Sequence, residues 1–149
     1  AAEANRRVEE ISDAGLSYFR TEEGISAALQ RFDALEPELD AITLKNKTKA
    51  YNFELLQALQ ARNRFICAKT AAVSARERKE SRGLHLRSDY PDVDNDSHYV
   101  RYIAASVNGK IELSAQVPKI TKIPLPCKGK KDFIRFIIDH DLGMENMHH

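Results

Sequence analysis

Residues 49–80 contain no glycine and no proline, and their apolar side chains recur at helical intervals. Neither of the residues that most readily break a helix interrupts the run, so it is free to form one long helix. Leu55, Leu56, Leu59, Phe65, Ile66 and Val73 read as its inward side. Ala58, Ala61, Ala68, Ala71, Ala72 and Ala75 are small enough to let neighbouring helices approach closely. A rod of this length cannot bury its own apolar face, so it reads as the central member of an antiparallel bundle.

Two helices are expected before it. Val8, Ile11 and the pair Gly15-Leu16 fall at helical spacing between residue 5 and about residue 18. Thr21-Glu22-Glu23 reads as a helix start, with a threonine oxygen to receive an early backbone N–H and two acids at the positive end of the helix dipole. The helix it opens carries one apolar stripe, Ile25, Ala28, Leu29, Phe32, Leu35 and Leu39, with Pro37 near its expected end. Lys45, Asn46, Lys47, Thr48 and Lys49 read as a solvated connection. Gly83 is the expected stop of the long helix, with Arg76, Arg78, Lys79 and Arg82 bringing positive charge to its last turns.

Beyond Pro91 the pattern changes. Residues 99–103 and 110–114 flank Asn108-Gly109, two residues that tolerate positive φ, which is a strong hairpin signal. Val117, Ile120 and Ile123, set among Pro118, Pro124 and Pro126, read as extended chain, residues 132–138 as a short helix or strand, and residues 143–149 as a frayed end. The expected fold is mainly α: an antiparallel three-helix bundle, then a C-terminal β-hairpin and an extended tail. The matching division is a helical bundle domain over residues 1–96, a hairpin extension over 97–126 and a C-terminal tail over 127–149. A chain of 149 residues, 42% hydrophobic and 30% charged, is large enough to bury one such core.

Charge excludes several functions. Basic and acidic residues nearly cancel, 23 against 22, which gives no overall attraction to nucleic acid or to an anionic membrane. Arg62, Arg64, Lys69, Arg76 and Arg78 stand among acids without interleaved aromatics, so they read as a solvated helix face. Neither a nucleic-acid partner nor direct membrane insertion is expected. Cys67 and Cys127 have no partner at metal-ligand spacing, so neither a zinc site nor a disulfide framework is expected. The scattered glycines build no phosphate-cradling loop, so this chain is expected to bind no nucleotide cofactor of its own. Its start at Ala1-Ala2-Glu3, without an initiator methionine, reads as a piece of a longer polypeptide, and the setting as cytoplasmic.

The densest chemistry lies in Arg78-Lys79-Glu80-Ser81-Arg82-Gly83-Leu84-His85-Leu86-Arg87-Ser88-Asp89-Tyr90-Pro91. The next acids, Asp92, Asp94 and Asp96, open like a calcium loop. Ser97 and Ile103, however, stand where such a loop needs glycine and glutamate, so a solvated turn is the better reading. His85, Arg87 and Asp89 alternate, and in an extended segment they would share one face, where His85 and Asp89 could handle a proton. The alternative is that Arg82 and Arg87 pair with Glu80, Asp89 or helix carbonyls and pin the chain as it leaves the bundle. The residue types favour pinning. His98 and His140 stand isolated and read as surface or satisfied core residues.

This run resembles the (R/K)xESRGxHxRxDxPxxD signature in the C-terminal helical domain of the succinate dehydrogenase and fumarate reductase flavoprotein subunits. Asp13-Ala14-Gly15, then Arg20 and a helix, then the long helix running into the motif keep that domain's order over residues 8–96. The motif is also similar to that of L-aspartate oxidase, and an adenylylsulfate reductase relative stays open. The long hairpin after the motif favours the first branch. Ser97-His98 depart from it, standing where the dehydrogenase pattern places an aromatic.

The resemblance implies an accessory domain, with no catalytic, cofactor-binding or metal-binding residue of its own, in an FAD-dependent oxidoreductase of the succinate/fumarate type. It implies FAD in the parent enzyme, and as partners the FAD-binding domain of the same flavoprotein and an iron–sulfur subunit. The chain would then sit in the cytoplasm or at the cytoplasmic face of the membrane through those partners. Glu80, Ser81, Arg82, Gly83, His85, Arg87 and Asp89 would stand at the domain interface. A free-standing helical interaction module is the reading of a different class.

Overall fold

Thr21 has the extended backbone of a helix cap, and its Oγ1 accepts the Gly24 N–H at 3.1 Å. Helix α2, Glu22–Asp40, starts there in this computed structural model, which describes residues 1–107 and 110–119. All six residues of the expected stripe are buried, and each large one contributes roughly 1.5–3 kcal/mol by leaving water. Pro37 lies inside the helix, which continues about one turn past it with Leu35 and Leu39 buried on either side.

Helix α1, Ala2–Gly15, packs on α2 with Val8 and Ile11 in the core. At its end a Cβ on Gly15 would lie 2.4 Å from Ala28 Cβ and 2.8 Å from the Gly24 carbonyl oxygen, so glycine is what lets the two backbones approach. The helix stops here, earlier than its spacing suggests, and Leu16 turns the chain toward the short strand β1, Phe19–Arg20.

Helix α3, Phe53–Glu77, is shorter at both ends than residues 49–80. Asn52 caps it: Oδ1 accepts the Leu55 N–H at 3.0 Å, while Nδ2 donates to the carbonyls of Asn46 and Thr48 at 2.8 Å each. One buried side chain thus starts the helix and folds the connection before it. Phe65 meets Phe32 edge to face with ring centres 5.9 Å apart.

The inward face of α3 agrees with expectation at Phe65, Val73 and the close-approach alanines Ala61, Ala68, Ala72 and Ala75, and differs at three leucine and isoleucine positions. Ala61, Phe65 and Ala72 are buried, whereas Leu56, Leu59 and Ile66 are about half exposed. The small residues and one phenylalanine fill the contact with α1 and α2, and these large aliphatic residues are left outside it. The basic residues of α3 are not merely solvated. Arg62 pairs with Asp40, Arg64 with Glu9, and Lys69 with Asp33 and Glu36 at 2.8 and 2.7 Å. The arginine pairs are exposed and contribute little stability, joining α3 to α2 and to α1 at the surface.

Strand β2, Leu86–Arg87, pairs in parallel with β1, placing Leu86 beside Phe19 and Arg87 beside Arg20. The expected hairpin is present: β3, Arg101–Val107, and β4, Lys110–Gln116, run antiparallel in a register that pairs Val107 with Lys110 across Asn108-Gly109. Among the described residues the architecture is three helices, the short parallel pair of β1 and β2, and a two-stranded hairpin, mainly α. The expectations for residues 120–149, including the short element at 132–138 and the frayed end, lie outside the described residues, as do Cys127 and His140.

Candidate functional site

The chain leaves α3 at Arg78, whose backbone is already extended, so the helix ends before Gly83 is reached. Gly83 is therefore not its stop. With φ at +58° it forms the tight reversal between Arg82 and His85, which exchange backbone hydrogen bonds of 2.9 and 3.0 Å. Arg78, Lys79 and Arg82 accordingly lie beyond the helix, and Arg76 alone of that set stays in its last turn.

Glu80 and Asp89 organise the segment beyond the helix. Glu80 is wholly buried, and both its oxygens are engaged. Oε1 accepts from Arg78 Nη1 at 2.5 Å and Arg82 Nε at 2.8 Å, while Oε2 accepts from Arg82 Nη2 and the Asp94 N–H, each at 2.9 Å. Burial pushes the Glu80 carboxyl up, but the bonds from Arg82, the Asp94 amide and Arg78 outweigh it and hold it below its usual value. Arg78 also donates to the carbonyls of His98 and Val100 at 3.0 and 2.6 Å, and its guanidinium lies 4.9 Å from the Tyr102 ring centre, fastening the root of the hairpin.

Arg87 is 1% exposed and grips Asp89 through two parallel bonds of 2.7 Å, the geometry a guanidinium fork favours. Its Nη1 donates to the Ala75 carbonyl at 3.1 Å and its Nη2 to Glu22 at 3.1 Å, while Asp89 accepts the Glu22 N–H at 2.9 Å. One ion pair therefore places its cation on the negative end of α3 and its anion on the positive end of α2. The Arg87 bonds hold the Asp89 carboxyl far below the usual carboxylate range. Ser81 Oγ accepts the Arg87 N–H and donates to the Tyr90 carbonyl, each at 2.8 Å, completing the buried part of the motif.

His85 does not join Arg87 and Asp89 in a cluster. Its Nδ1 lies 3.0 Å from Arg20 Nη1 and its Nε2 lies 3.1 Å from the Arg78 carbonyl. A guanidinium can only donate, so Nδ1 accepts and Nε2 carries the proton. Burial pushes the imidazole pKa down, the Arg78 carbonyl pulls it up, and the charges of Arg20, Arg87 and Arg78 lower it further, with a net downward result. Arg20 in turn donates through Nε and Nη2 to the Leu16 carbonyl at 3.2 and 3.1 Å, closing the end of α1.

The seven motif residues thus divide. Glu80, Ser81 and Arg87 are buried inside this chain, Arg82 and His85 are partly buried, and Gly83 and Asp89 are exposed. Arg82 binds Glu80 and Arg87 binds Asp89, which is the pinning arrangement. Asp94 accepts the N–H groups of Asp96 and Ser97 at 3.0 Å, a self-closed acidic turn. His98 meets the Tyr102 hydroxyl at 3.2 Å. No set of His, Cys, Asp and Glu among the described residues could hold a metal ion, and no described helix is long and apolar enough to cross a membrane. Sequence reasoning missed the functions of Arg20, Arg78 and Glu22. Their partners lie 65, 22 and 67 residues away, and no periodicity carries such a pairing.

A mainly helical domain whose helix ends are fastened by a buried charged motif is the class these features define. The family model described as "Fumarate reductase flavoprotein C-term" matches residues 5–131, and the chain belongs to that family. A succinate dehydrogenase flavoprotein subunit of Rickettsia conorii is 29% identical over 124 residues, covering 82% of this chain and 21% of that protein. The 8-methylmenaquinol:fumarate reductase flavoprotein subunit of Wolinella succinogenes is 27% identical over 112 residues, covering 74% and 18%. Among solved structures, Escherichia coli quinol fumarate reductase matches with a TM-score of 0.78 at 23% identity, over 83% of this chain and 22% of that one, and shows the shared fold. The chain spans about a fifth of the length of these curated relatives.

Proposed function

We propose that this chain is the accessory domain of an FAD-dependent oxidoreductase of the succinate dehydrogenase/fumarate reductase type, docking on and supporting the flavin-binding domain without catalysing alone. One observation carries the reading: among the described residues Phe53, Leu56, Leu59 and Ile66 stand out from α3 at 48–75% exposure. These residues recur three to seven apart along a helix and form an apolar stripe of the kind that suits a docking face. The names of the two relatives, both flavoprotein subunits, supply the partner's chemistry.

The motif serves this docking in two parts. Glu80, Ser81 and Arg87, with Asp89 bonded to the start of α2, hold the segment rigid. The reversal from Arg82 through Gly83 and the exposed Leu84 to His85 presents its tip to the flavin domain, with the exposed Asp89 at the edge of the same interface. The antiparallel order of the three helices is part of the proposal, supported by Asp40 lying beside Arg62 while Asp33 lies beside Lys69. So are a bundle over residues 1–96, a hairpin extension over 97–126 and a tail over 127–149. The hairpin is the surface offered to an iron–sulfur subunit, and the assembly would sit at the cytoplasmic face of the membrane.

The test mixes this chain with the separately produced flavin-binding portion and monitors co-elution and fumarate reduction. Binding and stabilisation of the flavoprotein, with no turnover by the chain alone, is the expected result. A monodisperse chain indifferent to the flavin portion would overturn the reading in favour of an independent helical module.

A further inference from the structure

A pocket of about 520 Å³ opens between the ends of α1 and α3 and the start of β3, lined by Arg20, Arg78, His85, Arg101 and Tyr102, with no carboxylate among the described residues of its wall. Among the described residues the guanidinium groups of this wall outnumber the carboxylates near it, Glu77 and Glu80 beside Tyr102. Arg78 shares the single carboxylate of Glu80 with Arg82. Arg101 donates to a neutral acceptor, Gln116 Oε1, at 3.2 and 2.9 Å. Arg20 has no carboxylate partner among the described residues, and its three bonds leave two of the five guanidinium N–H groups over. Burial lowers the Arg20 pKa, as expected for a cation without a compensating anion. His85 accepts from Arg20 and is itself neutral, so it orients the guanidinium without cancelling its charge.

We propose that this pocket is a carboxylate socket, filled by an acidic side chain of the docked flavin-binding domain. The inference rests on the docking reading and adds a charged anchor to the apolar stripe of α3. A planar carboxylate matches the fork of a guanidinium, and a half-buried, cation-lined recess strengthens such a bond relative to water. The rim formed by Arg101 would steer the acid inward and make docking sensitive to salt.

The experiment measures affinity of the chain for the flavin-binding portion with wild type, Arg20→Gln and Arg101→Gln, and tracks the His85 ring by NMR while acetate is added to the chain alone. Because Arg20 also closes the end of α1, the exposed Arg101→Gln serves as the variant that leaves the fold intact. A loss of about tenfold in affinity for each variant, with an acetate-dependent shift at His85 in wild type that Arg20→Gln lacks, is expected. Equal affinity of all three proteins would overturn the socket and leave docking standing. No docking together with a saturable acetate shift would overturn the docking reading and assign the pocket to a free small anion. If His85 responds to acetate only after removal of residues 120–149, the pocket belongs to the chain's own tail and the proposal falls. Neither docking nor a shift would overturn both.

Discussion

The two ends of α3 invert the usual arrangement in opposite ways. From its start to its middle, large apolar residues, Leu56, Leu59 and Ile66, stand outside. Just past its last turn, Glu80 and Arg87 lie inside. The buried ions are satisfied entirely within this chain, through Arg78, Arg82, the Asp94 amide, Asp89, Glu22 and the last carbonyls of α3. Among the described residues the exposed apolar side chains have no such completion, although Ile66 borders the hairpin at Ala104, Ala105 and Ile111. A region that hides charge and satisfies it is a fastening, whereas the exposed apolar region is, on the docking proposal, the surface that receives a partner.

If the charged end is a fastening, damage to it should register in the stability of the chain alone. Arg87→Ala would remove the bonds to Asp89, Glu22 and the Ala75 carbonyl and leave Asp89 with its bond from the Glu22 N–H, and urea unfolding is expected to show a loss of about 1.5–3 kcal/mol. Glu80→Gln should cost about 1.5–3 kcal/mol by leaving Arg78 and Arg82 facing a neutral group, and a value near zero would show that water reaches them. Gly15→Ala, which forces a methyl against Ala28 and the Gly24 carbonyl, should cost about 1–3 kcal/mol in the same assay.

Acid sharpens the comparison because it acts on the fastening and spares the stripe. Asp89 and Glu80 are held below their unfolded values, so the stability they contribute is complete above the ordinary carboxylate range. It is lost as pH falls below about 4. His85, also lowered, adds a smaller loss that begins below its unfolded value of about 6.5, where the unfolded chain takes up the proton more readily. Thermal unfolding across this range is expected to show both slopes, with the upper one absent in His85→Gln. At the other end of α3, Leu56→Ser should change the stability of the chain alone by no more than about 0.5 kcal/mol.

Legibility in the sequence divides along the same line. The stripe of α2, the Thr21 cap and the Asn108-Gly109 hairpin are legible because each is a local pattern of spacing or turn chemistry. On α3 the close-approach alanines Ala61 and Ala72 and the inward Phe65 are legible, but Leu56, Leu59 and Ile66 are misread as inward, since periodicity marks an apolar face without saying which part of it a neighbour covers. The pinning by Arg82 and Arg87 is reachable from residue types, because their carboxylates lie two residues away. Arg20 on His85, Glu22 on Asp89 and the parallel pairing of β1 with β2 need the fold itself. Gly83 reads as a helix stop because a glycine after a helix and a glycine in a tight reversal look alike in one dimension.

The most direct test of the central claim is the affinity of the flavin-binding portion for the chain carrying Leu56→Ser, Leu59→Ser and Ile66→Ser together, measured beside wild type by titration calorimetry, with circular dichroism as a check on folding. A folded variant whose docking is lost is the result expected of a stripe that waits for a partner. A folded variant that docks as tightly as wild type would contradict the claim.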